Sequence, residues 1–116
     1  MNFNELLNSD SDHNKYKQGV IIYFNYSHSN LEPLHELENK LRIELYNSKT
    51  GEFDGHQMAL DLADGFLYFY GDSAEELFKT IKPLLLDAPF MKNAEVNLRF
   101  GSDGANGVSD IDFILE

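Results

Sequence analysis

No cysteine occurs among the 116 residues, so the chain has no disulfide framework, no thiol nucleophile and no thiolate-bound zinc, a composition suited to a reducing compartment, and we place it in the cytoplasm. Basic residues are scarce: nine Lys and Arg face twenty Asp and Glu, for a formal net charge of −11. That balance repels phosphate backbones and anionic lipid, excludes an ordinary nucleic-acid binder, and favours encounter with cationic surfaces. No segment approaches the ~20 apolar residues of a membrane span. The opening MNFNELLNSDSDHNKYKQ has neither the basic start nor the apolar stretch of a signal peptide. What is present is 42% hydrophobic residues with nine Phe and six Tyr, enough for one core, and therefore one site or one face.

Residues 1–18 are a polar lead-in, flexible or carrying one short helical turn that docks Phe3, Leu6 and Leu7, and residues 19–116 form a single domain. GVIIYFNYS reads as a strand with apolar residues on both sides, hence a central one. Ser29 with Glu32 has the spacing of a capping box and Pro33 suits a first turn, so a helix begins there. Its stripe of Leu34, Leu37, Leu41 and Leu45 continues until SKTG stops it at Gly51. Phe53 and the set Met58, Leu60 and Leu62 are out of phase, which requires a bulge or turn around Gly55. Ala-Asp-Gly at 63–65 is a hairpin signal before the strand FLYFY. A second capping box, Ser73 with Glu76, starts a helix running to Asp87, with Pro83 kinking or ending its last turn. AEVNLRF is an alternating strand with Ala94, Val96, Leu98 and Phe100 inward, and after the glycine-rich GSDGANG the strand DIDFIL turns Ile111, Phe113 and Leu115 inward.

The order βαββαββ predicts an α+β fold of the ferredoxin-like βαββαβ sandwich type with an extra C-terminal β-strand: two helices on one face of an antiparallel sheet ordered 4-1-3-2, the fifth strand beside the fourth. The other face then has no helix. Val20, Ile22, Phe24, Leu67 and Phe69 would point at the helices, leaving Tyr23, Phe66, Tyr68 and Tyr70 on the open face, flanked by Asn97 and Arg99.

Aromatics on two central strands are also how RNA-recognition domains stack bases. The matching strand motif there begins with a cation and has a small residue between its aromatics; DGFLYFYG has Asp64 and Leu67 at those places and Gly71 where the last aromatic belongs, so RNA binding is not expected. Tyrosines of this kind either bury area under a loop or a second copy, or recognise protein. The stretch from Gly51 to Glu76 holds seven carboxylates and one histidine with no lysine or arginine, either a solubilising surface or a negative field that steers in a basic partner.

Chemistry is thinly marked. Glu52, Asp54 and His56 alternate and could offer a metal three ligands on a straight strand, but the irregularity at Gly55 would break their alignment, so no metal and no cofactor is expected. His56 is better read as a turn residue bonded to a nearby carboxylate. His28 and His35 flank the start of the first helix, yet no serine lies in a nucleophile pattern. DSDHN at 10–14 opens like a calcium loop but has Lys15 and Ile21 where that loop needs glycine and glutamate, and GSDGANG lacks the lysine and helix of a phosphate cradle.

The runs G-E-F-D-G-H at 51–56, L-Y-F-Y-G at 67–71, A-E-E-L-F at 74–78, K-P-L-L at 82–85 and V-N-L-R-F-G at 96–101 resemble a family of small, uncharacterised bacterial single-domain proteins, over residues 30–101. That resemblance implies a bacterial source and brings no catalytic residue with it. In size, acidity and lack of catalytic pattern the chain is also similar in character to immunity proteins that neutralise bacterial toxins. The expected function is therefore a non-enzymatic acidic protein-binding module, most concretely an immunity protein for a basic toxin such as a nuclease. Tyr23, Tyr68 and Tyr70 would anchor the partner, while Asp54, Asp61 and Asp64 would steer it. The rivals are a small ferredoxin-like enzyme using His56 with Asp54 or Glu52, and a homodimer closed through the tyrosines or through the edge of the last strand.

Overall fold

The computed structural model describes residues 18–101 and 110–116. The lead-in through residue 17, the DSDHN segment and residues 102–107 of the glycine-rich run lie outside the described residues. Within them the order is β1 (Gln18–Asn25), α1 (Glu32–Ser48), β2 (Glu52–Met58), β3 (Asp64–Gly71), α2 (Ala74–Asp87), a 3-10 turn (Pro89–Met91), β4 (Glu95–Arg99) and β5 (Asp110–Ile114). The strands form one sheet in the order β2-β3-β1-β4-β5, antiparallel at every junction. This is the ferredoxin-like βαββαβ arrangement with the fifth strand added beside the fourth.

The core lies between the sheet and the helices. Alternation along β1, β3 and β4 turns Val20, Ile22, Phe24, Leu67, Phe69, Val96 and Leu98 inward, against Leu34, Leu37, Leu41 and Leu45 of α1 and Leu77, Ile81 and Leu85 of α2, all buried. Each helix buries one stripe because its leucines and isoleucine recur at three- and four-residue steps. At the sheet edge Phe113 packs against Phe78 of α2, ring centroids 5.1 Å apart, and Leu115 is buried. Ile111, expected inward, remains 46% exposed, because among the described residues β5 is the outermost strand of the sheet.

Local signals are met unevenly. Ser73 caps α2 as expected, its Oγ accepting from the Glu76 N–H at 3.2 Å. The start of α1 is built differently, since the Ser29 side chain does not cap it. Instead Asn30 Oδ1 accepts from the Glu32 N–H at 2.9 Å, and the buried Tyr26 hydroxyl accepts from the Leu34 N–H at 3.3 Å while donating to the Asn30 carbonyl at 2.6 Å. A core tyrosine thus satisfies one orphan donor of the first turn. The helix ends earlier than Gly51: Lys49 takes the left-handed conformation, φ 57°, and its N–H closes on the Leu45 carbonyl. Asp64 and Gly65, a turn pair by sequence, lie inside β3, and the chain reverses over residues 59–63 with Leu62 left-handed at φ 59°. Pro83 does not end α2, which runs on to Asp87.

Candidate functional site

The open face is a lattice of three rows across the sheet. Strand register places Glu52, Tyr70, Gly19, Arg99 and Asp110 in the first row, Gly55, Tyr68, Ile21, Asn97 and Asp112 in the second, and Gln57, Phe66, Tyr23, Glu95 and Ile114 in the third. Asp64 stands opposite Asn25 at one end. No helix among the described residues covers this surface, because both amphipathic helices spend their apolar stripes on the other face.

Its centre is aromatic. Phe66 and Tyr68 stack at 6.1 Å, and Tyr23 packs against Phe66 at 5.0 Å. Tyr70 lies across Gly19, where an added Cβ would stand 3.3 Å from the Tyr70 ring and 2.9 Å from the Phe69 carbonyl, so a glycine is needed for that close approach. Tyr23 donates its hydroxyl to Asp64 Oδ2 at 2.5 Å, and Tyr68 donates to Gln57 Oε1 at 3.0 Å. Beside them Arg99 Nε donates to Asn97 Oδ1 at 3.0 Å, and Asn97 Nδ2 donates to Asp112 Oδ1 at 2.6 Å and to Asp110 Oδ2 at 3.2 Å. A shallow groove of about 670 Å³ runs between these two halves, floored by Ile21, Tyr23 and Phe66 and walled by Glu95, Asp112 and Ile114. Five carboxylates, at positions 52, 64, 95, 110 and 112, thus border the aromatic centre, with Arg99 as the only basic side chain in its rows.

Of the residues singled out by sequence, Tyr23, Asp64, Tyr68 and Tyr70 come together on this face. Asp54 sits at the β2 irregularity, where the register shifts between Phe53 and Gly55, and its charge reaches Tyr70. Asp61 belongs to the turn before β3, its Oδ1 accepting from the Ala63 N–H at 3.0 Å, which makes it a local turn brace. Glu95 and Asp112 were not singled out, although the alternation of AEVNLRF and DIDFIL assigns both to the outward set.

Two of these tyrosines, Tyr23 and Tyr70, favour the protonated phenol. Tyr23 is raised above its ordinary 10.0 by the hydrogen bond to Asp64, then by desolvation and the charges of Asp64 and Glu95. Burial raises Tyr70, with Asp54 adding to it and Arg99 opposing. In the unfolded chain both would ionise near 10.0, before they do in the fold. Their contribution to stability is therefore full below that pH and is lost as pH rises through the folded values. Denaturant melts taken across about pH 9 to 12 should show stability falling at the alkaline end, less steeply for Tyr23→Phe. Parallel curves for the two proteins would mean that the Asp64 contact does not hold the phenol proton.

The second concave region lies on the helix side of the sheet edge. The shift at Gly55, φ 116°, turns His56 toward α1, where its Nδ1 donates to Glu38 Oε2 at 2.6 Å. Glu38 is only 3% exposed. His56 is thus bonded to a carboxylate as expected, but from within β2 rather than a turn, and the carboxylate comes from the helix; the Glu52 of the rival enzyme reading lies on the opposite face in register with Tyr70. It also removes the alignment of Glu52, Asp54 and His56, and among the described residues no group of three or more His, Asp or Glu is placed to hold a metal ion. Glu38 was legible in part, since it is four residues after Leu34 and three before Leu41, on the apolar stripe.

Compared with protein-family models, curated proteins and solved structures, the chain matches none of them. No helix among the described residues is long and apolar enough to cross a membrane.

Proposed function

We infer that this chain is a non-enzymatic binding module whose open sheet face takes a basic protein partner. Its most concrete form is an immunity protein, in the bacterial cytoplasm, that neutralises a cationic toxin such as a nuclease. The observation that carries this reading is the makeup of the open face among the described residues: partly exposed tyrosine and phenylalanine rings, turned away from both helices and bordered by five carboxylates and one arginine. Aromatic rings supply contact area at low entropic cost, while the surrounding negative field speeds encounter with a cationic surface. The same charges disfavour a face-to-face homodimer, because a twofold axis would set the carboxylates of one copy against those of the other.

Paired baits test it. Wild-type protein should capture a basic partner that salt releases, and a Tyr23→Ala/Tyr68→Ala bait should not. With that partner purified, Asp64→Lys and Glu95→Lys should each slow association about tenfold at low salt and change dissociation less. Equal capture by both baits, or unchanged association rates, would remove the open face as the docking surface.

A further inference from the structure

The cleft between α1 and β2 has the opposite chemistry to the open face. About 430 Å³ in volume, it is lined by His35, Glu38, Asn39, Arg42, Gly55 and His56, which is one arginine, one amide and two imidazoles around a single carboxylate. That carboxylate is already engaged: Glu38 is buried and its Oε2 is bonded to His56 Nδ1. With Nδ1 bonded to Glu38, Nε2 is the ring nitrogen left for a ligand, and the His56 side chain is 29% exposed. His35, one turn back from Glu38 on α1, presents its ring nearly parallel to that of His56 at 6.3 Å. Arg42, one turn on, lies over the Phe53 ring with its Cζ 4.8 Å from the centroid, which holds the guanidinium plane in place and leaves its N–H edge for a ligand. The wall opposite is the bulge itself, where a Cβ on Gly55 would meet nothing within 4 Å.

We propose that this cleft is a second, small-molecule site for a compact oxyanion, a phosphate- or carboxylate-bearing ligand that Arg42 anchors through two parallel N–H bonds and that His56 Nε2, His35 and Asn39 complete. Arginine suits this because its fork matches two oxygens of one anionic group. Glu38 is a positioning residue: bonded to Nδ1, it fixes the ring so that Nε2 faces the cleft. A metal is the less suitable occupant, since the Glu38 carboxylate is engaged by His56, no group of three or more His, Asp or Glu among the described residues is placed to hold an ion, and Arg42 would repel a cation. The site shares the Gly55 backbone with the open face but no side chain, so either can fail alone.

The test follows the imidazole signals of His35 and His56 by NMR in the full chain while inorganic phosphate, and separately acetate, is added at ionic strength held constant with sodium chloride. Saturable displacement of both imidazoles is expected, with apparent affinity at least about tenfold weaker in Arg42→Gln, an exposed change that leaves the Glu38 and His56 pair intact. Saturation by phosphate alone identifies a phosphate-bearing ligand, and by acetate alone a carboxylate-bearing one. No saturable displacement with either anion overturns the proposal, as does equal displacement in Arg42→Gln. Displacement by zinc ion where neither oxyanion acts would overturn it in favour of a metal site.

Discussion

Phe69→Ala is expected to lower the free energy of unfolding by about 3–5 kcal/mol, whereas Tyr68→Ala, one residue earlier in the same strand, should cost only about 1 kcal/mol. Phe69 is fully buried on the helix side and packs against Phe53 at 5.1 Å, so its removal leaves a cavity that neither helix can collapse to fill. Tyr68 gives up its contact with Phe66 and one hydrogen bond to Gln57, on a face where water takes their place. The functional effects should run the other way, with Tyr68→Ala impairing capture of the basic partner and Phe69→Ala doing so only when the protein unfolds. Urea melts give the comparison directly, and the Phe69→Ala midpoint should also fall by more than about 10 °C on heating. Similar losses for both variants would mean that the open face is packed under something, and would count against its role as a docking surface.

His56→Leu should destabilise by about 3 kcal/mol, and adding a second leucine in place of Glu38 should restore most of that loss. The single change strands the Glu38 carboxylate at 3% exposure without the donor that lies 2.6 Å from it. The double change removes charge and partner together and lets the position rejoin the leucine stripe on either side. The estimate sits at the lower end for broken buried pairs because the His56 side chain is itself 29% exposed, which gives water a route to the stranded group. A double-mutant cycle in urea isolates the coupling. Additive losses would show that the pair is not coupled in the folded protein, and the fixed orientation of His56 on which the oxyanion site depends would fall with it.

Periodic features of this fold were legible because burial imposes them at every turn or every second residue. The leucine stripe from 34 to 45, the alternation in AEVNLRF and the phase break between Phe53 and Met58 each follow from which side must face apolar neighbours, and each has its counterpart in α1, β4 and the shift at Gly55. Single-residue signals fared worse. Ser29 had the spacing of a cap, yet Tyr26 and Asn30 satisfy that helix start, because a hydroxyl already ordered in the core loses less freedom than one on a loop. Asp64 and Gly65 had the chemistry of a turn, yet cross-strand pairing with Asn25 and Phe24 draws both into β3. Of the candidate site, the three tyrosines were assigned to the correct face by alternation alone. Asp61 was assigned to steering and Glu38 was not singled out, because the hydrogen bond each makes depends on a partner group that spacing along the chain does not identify.

By itself, then, the sequence determined the class of fold, the central place of β1, the tyrosines on the face turned away from both helices and the acidic character of the whole, since these depend on composition and on hydrophobic period. The tertiary structure alone decided that Glu95 and Asp112 join Tyr23 around one groove, that Asp61 braces a turn, and that His56 is oriented by Glu38 eighteen residues away. Those pairings are set by strand register and by the angle at which α1 crosses the sheet edge, and both emerge only when the core closes and a bulge at Gly55 turns one imidazole from solvent toward a buried carboxylate.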